Sequence, residues 1–155
     1  MLHTLRRKQL IKSDLSTLWE FMSSPQNLSK ITPPYMGFNI LSDPKDLIAM
    51  YPGQIIEYHV SPIMGFKLHW VTEITHVKDL EYFVDEQRFG PYSFWHHKHF
   101  LKETEEGVWM MDVVHYKLKW GILGLLAHKL FVKRQLNQIF DYRFNLLEKL
   151  YNDKK

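Results

Sequence analysis

The chain has 155 residues, with 20 Lys+Arg against 17 Asp+Glu and a formal net charge of +3. That is the length of a single domain over residues 1–155, enough for a core and too short for two full-sized domains. The absence of cysteine excludes disulfide staples, Cys-zinc sites and thiol catalysis, and so small a basic excess does not mark a nucleic-acid binder.

Leu2 to Ile11 reads as a strand, and Ser13 or Asp14 can cap a short helix over Leu15–Met22, whose Leu15, Leu18, Trp19 and Met22 fall at helical spacing. Ser24-Pro25 restarts a second short helix over Gln26–Ile31, which Pro33-Pro34 ends. Alternation with period two then predicts six strands, over Met36–Leu41, Gln54–Val60, Phe66–Val77, Leu80–Phe89, Tyr92–Lys102 and Val108–Lys119. The breaks between them fall at Asp43-Pro44-Lys45, Ser61-Pro62, Lys78-Asp79, Gly90-Pro91 and Glu105-Glu106-Gly107. Ile122–Tyr151 predicts one long amphipathic helix with a stripe of Leu126, Leu130, Leu136, Ile139, Phe140, Phe144, Leu147 and Leu150.

This order predicts an α+β fold, a curved antiparallel sheet of about seven strands with a helix of about 42 Å laid across its concave face. A space for a ligand is expected between sheet and helix. The longest apolar stretch, Trp120–Ala127, is far below the roughly 20 residues of a membrane span. No apolar segment of a secretory signal follows Arg6-Arg7-Lys8, so a cytoplasmic protein without stable membrane insertion is expected. No Gly-rich phosphate loop, Walker sequence or GxSxG elbow is present, and no cofactor is expected.

Five Trp, eight Tyr, ten Phe and nine His are the unusual part of the composition. Lysines fix the phase of the last two strands, because ammonium groups belong in water. Lys98 and Lys102 outward send Trp95, His97, His99 and Leu101 inward; Lys117 and Lys119 outward send Met110, Asp112, Val114 and Tyr116 inward. A turn over 104–107 then sets His99 opposite Asp112 and Trp95 opposite Tyr116. Leu68, Trp70, Thr72 and Ile74 face inward by the same reasoning, as do Ile56, Tyr58 and Val60. Glu86 and Arg88 outward put Phe83, Asp85, Gln87 and Phe89 inside, which requires an odd loop or bulge near Gly90-Pro91. His59, His69, His96 and His115 fall outward.

An aromatic floor carrying His97, His99, Asp112, Tyr116, Asp85 and Gln87 must pair those groups with one another, with water or with a ligand. Four readings stay open. The set is a buried network fixing register; or it orients an apolar ligand. Alternatively His97 or His99 is a general acid/base oriented by Asp112 or Asp85, or His97-x-His99 with Asp112 supplies three metal ligands on one face. Alternation in any His-rich strand produces that last spacing, and no nucleophile or oxyanion motif accompanies the pair, so neither a metal nor a catalytic residue is assigned.

The run Asp85-x-Gln87-x-x-Gly90-Pro91-x-x-x-Trp95-x-His97-x-His99, followed by Asp112-x-Val114-x-Tyr116 and the Gly-containing start of the last helix, resembles the SRPBCC (START-related, helix-grip) ligand-binding superfamily. Within it the chain is similar to an uncharacterised bacterial branch near the polyketide cyclase and lipid-transport members. Lys119-Trp120 before Gly121 departs from that pattern, where related sequences tend to have Pro. The resemblance implies a helix-grip fold with a deep cavity for a hydrophobic small molecule, and it does not imply a reaction. The residues expected to line that cavity are Tyr58, Trp70, Asp85, Gln87, Trp95, His97, His99, Asp112 and Tyr116.

Overall fold

The computed structural model describes residues 1–63, 66–119 and 121–153. Alternating sequences pair into one antiparallel seven-stranded sheet, with order β1-β7-β6-β5-β4-β3-β2. The strands are β1 (His3–Ile11), β2 (Asn39–Ile40), β3 (Gln54–Ile63), β4 (Phe66–Lys78), β5 (Tyr82–Phe89), β6 (Tyr92–Thr104) and β7 (Gly107–Leu118). Helix α1 (Leu15–Met22) follows β1 and is capped by Asp14, whose carboxylate accepts from the Thr17 N–H. The chain closes with α2 (Gly121–Ala127), a π turn over His128–Val132, α3 (Lys133–Leu147) and a second π turn over Glu148–Asn152. Together they make a closing helix about 48 Å long. No described helix is long and apolar enough to cross a membrane.

The register of β6 and β7 follows the lysine phase. Thr104 pairs with Gly107 across the Glu105-Glu106 turn, His99 stands opposite Asp112 and Trp95 opposite Tyr116. Inward Trp70, Thr72 and Ile74 on β4 and Ile56 and Val60 on β3 are buried as expected. Leu136, Phe140 and Leu147 of α3 pack onto this face: the first two against Leu5, Val114 and Tyr116, the third against Ile11, Leu18 and Val108.

Several local expectations are corrected. The second short helix is a 3-10 turn over Pro25–Ser29, and Met36–Leu41 shrinks to the two residues of β2. Pro34–Met36 forms a 3-10 turn instead, because proline's fixed φ starts a turn there. Asp43-Pro44-Lys45 opens another, over Pro44–Leu47. Ser61-Pro62 does not end its strand, since β3 runs on to Ile63. Pro62 falls where the β3–β4 register shifts between Val60 and Ile63, an irregularity in the ladder that tolerates proline. A bulge shifts the β4–β5 register between Val71 and Thr72 and turns Phe89 outward, where it is 58% exposed beside His69.

The helical stripe is also narrower than its apolar residues suggest. Leu126 and Leu130 are 55% and 68% exposed, while Val132 and Arg143 are buried. Gly124 explains how α2 sits so close to the end of β7, because a Cβ there would overlap the Lys119 carbonyl oxygen. Trp120, in the expected start of the helix, lies outside the described residues.

Candidate functional site

Because the closing helix is held along β1 and β7, the sheet beneath its other side remains uncovered, and a cavity of about 250 Å³ lies between them. Its floor comes from Tyr58 of β3, Trp70 and Thr72 of β4, Asp85 of β5 and Trp95, His97 and His99 of β6. Its roof comes from Val132, Leu136, Ile139 and Arg143 of the closing helix. The aromatic part is ordered by edge-to-face contacts: Trp70 stands at 90° to Trp95, with ring centroids 5.4 Å apart. Thr72 Oγ1 takes the Trp70 indole N–H at 3.1 Å and lies 3.0 Å from the Tyr58 hydroxyl, so the polar ends of both rings are satisfied.

One end of the cavity is ionic. His97 Nε2 is 2.9 Å from Asp112 Oδ1, and His99 Nε2 is 2.8 Å from Asp85 Oδ2, each a hydrogen bond. Two crossing contacts close the ring: His97 Nδ1 lies 3.2 Å from Asp85 Oδ2 and His99 Nδ1 lies 2.9 Å from Asp112 Oδ1. The last is a charge contact off the hydrogen-bonding direction, which leaves His99 Nδ1 without a hydrogen-bond partner. The two imidazoles lie with centroids 3.7 Å apart, Phe83 stacks on His99, and the Trp95 indole N–H donates to Asp85 Oδ1. Asp85, His97 and His99 bring one ligand-type atom each within 4.8 Å of one another. Asp112, the carboxylate to which spacing along the chain points, also lies 2.9 Å from a ring nitrogen of each histidine.

Electrostatics follow from this packing. Burial pushes both carboxyls up, but the facing histidines, with Arg143 added at Asp112, outweigh it and hold Asp85 and Asp112 well below the usual carboxylate range. Burial likewise lowers His97, and Asp85 and Asp112 together outweigh it, so that its pKa is raised. Tyr58 and Tyr92 are pushed far up by burial and stay neutral.

Of the residues expected to line the cavity, the structure brings Tyr58, Trp70, Asp85, Trp95, His97 and His99 to its wall. Three serve elsewhere. Asp112 lies behind the histidines and is 1% exposed. The Gln87 side chain spans the β5–β6 turn, donating to the Tyr92 carbonyl at 2.8 Å and accepting the Tyr92 N–H at 3.1 Å. The Tyr116 hydroxyl reaches His128 Nε2 at 2.8 Å, joining β7 to the first π turn. Arg143 is the cavity residue that sequence reasoning missed. Its spacing from Leu136, Phe140 and Leu147 places it on the buried face of α3, and that spacing was the available signal.

No family model matches the sequence, and no curated protein sequence matches it either. Solved structures do. Protein CV1439 from Chromobacterium violaceum aligns with a TM-score of 0.72 at 13% identity, covering 97% of this chain and 98% of that one. Major latex-like protein 151 from Panax ginseng aligns with a TM-score of 0.68 at 13% identity over 97% of both chains. Ara h 8.0201 aligns at 0.62 and 14% identity, covering 96% and 99%. The chain therefore has the helix-grip fold, a curved antiparallel sheet closed by a long C-terminal helix, that these structures share.

Proposed function

We propose that the chain, as one domain over residues 1–155, binds a hydrophobic small molecule in the cavity, for carriage or sensing. The observation that carries this reading is an aromatic cavity of about 250 Å³ with a charged group of side chains at one end. Such a space accepts an apolar body, and a few convergent polar groups fix its orientation. Tyr58, Trp70, Trp95 and the inward face of α3 take the body, while Asp85, His97 and His99 meet the polar end. Asp112, Gln87 and Tyr116 act one step back: Asp112 fixes the imidazoles, Gln87 the β5–β6 turn, and Tyr116 the start of the closing helix.

Acid/base catalysis by His97 or His99, as in a cyclase or dehydratase, is the alternative, and the geometry weighs against it. His97 Nε2 and His99 Nε2 are each hydrogen-bonded to a carboxylate, so a proton transfer through either would first break that bond.

Native mass spectrometry of freshly purified protein, followed by solvent extraction, tests the reading. The expected result is a bound apolar compound that is lost in Ile139→Trp, a substitution that fills the cavity from its roof. A protein that neither carries nor takes up any apolar compound, with or without the tryptophan, would overturn it.

A further inference from the structure

Resting on that reading, we infer that the ionic end of the cavity receives the carboxylate of a small apolar acid, with Arg143 as the anchor. Arg143 is 8% exposed and lines the cavity, yet its charge is poorly matched. A guanidinium carries five N–H donors in a rigid fork. Its ion pair is a single long contact, from Nη1 to Asp112 Oδ1 at 3.5 Å, and Nε is buried without a hydrogen-bond partner. The group also lies 4.9 Å over the Phe140 ring, a favourable contact that satisfies no N–H.

Asp112 does not hold Arg143 as a forked pair: the guanidinium makes one contact, to Oδ1, and that atom is also faced at 2.9 Å by His97 Nε2 and by His99 Nδ1. Asp85 is committed as well, with Oδ1 to Trp95 and Oδ2 to both imidazoles. A buried guanidinium left with one stretched contact is costly, and the group that suits it best is a second carboxylate, which takes two parallel N–H bonds. The protein supplies none from the cavity wall, where Asp85 is the sole described carboxylate.

The cavity of about 250 Å³, walled by aromatic and aliphatic side chains, takes the apolar body of such an acid. The ligand class is thus a free monocarboxylic acid whose body lies along Trp70, Trp95 and Ile139.

Decanoic acid and 1-decanol, which share one chain and differ in the head group, make the test. Binding to the whole chain at neutral pH is read by calorimetry and by quenching of Trp70 and Trp95 fluorescence. The expected result is at least tenfold tighter binding of decanoate, with Arg143→Met bringing the acid-to-alcohol ratio measured on that variant to about one. Arg143→Lys, which keeps the charge and loses the fork, should fall between. The acid-to-alcohol comparison needs no variant and decides the matter even if Arg143→Met fails to fold. Equal binding of the two probes overturns the carboxylate inference and leaves the ligand-binding reading standing. A preference for decanoate that survives Arg143→Met overturns the assignment to Arg143. Binding of neither probe overturns the inference together with the reading it rests on.

Discussion

His97 Nε2 reaches Asp112 Oδ1 at 2.9 Å across a diagonal of the β6–β7 pair, because the residue directly opposite Asp112 is His99. Both side chains of the hydrogen-bonded pair are almost fully buried, at 4% and 2% exposure. Asp112 therefore answers three cationic or donor groups at once: His97, His99 and Arg143. Replacing it by Asn keeps the shape and removes the charge, leaving those groups without their shared anion. Asp112→Asn should cost about 3–5 kcal/mol in urea denaturation, the usual penalty for breaking a buried pair from one side. A loss below about 1 kcal/mol would mean that the cluster is not held by charge.

The same cluster sets a pH dependence. His97 is flanked by Asp85 from β5, Asp112 from β7, His99 on its own strand and Arg143 from α3. Its raised pKa means that its contribution is complete below 6.5 and is lost as pH rises through the folded-state value. Asp85 and Asp112 are lowered, so their contribution is present above 3.8 and is lost as pH falls. The cluster should stabilise most between about 3.8 and 6.5 and weaken on the alkaline side. Subtracting the Asp112→Asn denaturation profile from that of wild type between pH 4 and 9 isolates the effect. A difference that is flat, or that grows above pH 7, would contradict the charge assignment.

The cluster was legible in the sequence to the extent that lysines declared it. Lys98, Lys102, Lys117 and Lys119 cannot face a core, and with a tight turn at Glu105-Glu106 they fix which residues of β6 and β7 meet. Phe89 was not legible, because the bulge that turns it outward is set by how β4 and β5 pair and leaves no mark in its own strand. Gln87 looked inward by alternation, yet its amide was needed at the Gly90-Pro91 turn. Leu126 and Leu130 read as core from their chemistry, whereas His128 and Val132 are the residues that this part of the helix turns to β7, and both leucines remain exposed.

Gly124 tests how tightly the closing helix is seated. A methyl group there would overlap the Lys119 carbonyl oxygen and crowd Leu118, both at the end of β7. The backbone cannot yield as a flexible side chain would, so α2 must lift. Although alanine is the better helix former by about 1 kcal/mol, Gly124→Ala should lower stability by about 1–3 kcal/mol. Thermal denaturation decides between the two effects. A stabilised Gly124→Ala protein would show that the close approach of α2 to β7 is not maintained in solution.

A second histidine pair, at the other end of the closing helix, responds to pH with the opposite sign. His3 and His128 stack at 3.6 Å with their planes 10° apart, and the Tyr116 hydroxyl meets His128 Nε2 at 2.8 Å. Partial burial lowers both imidazoles, and nearby cations add to it: the Met1 amino group and Lys133 at His3, and His3 and Lys133 at His128. A lowered histidine contributes its full stability above 6.5 and loses it as pH falls, because two stacked imidazolium ions repel. Acidification should therefore loosen the π turn over His128–Val132 just as it favours the ion pairs of the His97 cluster. Hydrogen exchange over Gly121–Val132, corrected for intrinsic rates, should be faster at pH 5.5 than at pH 7.5 in the wild type. His128→Gln keeps a hydrogen-bond acceptor for Tyr116 without a titrating group, and its protection should not change between the two pH values. Wild-type protection that is equal or greater at pH 5.5 would remove the pair as a pH-sensitive contact.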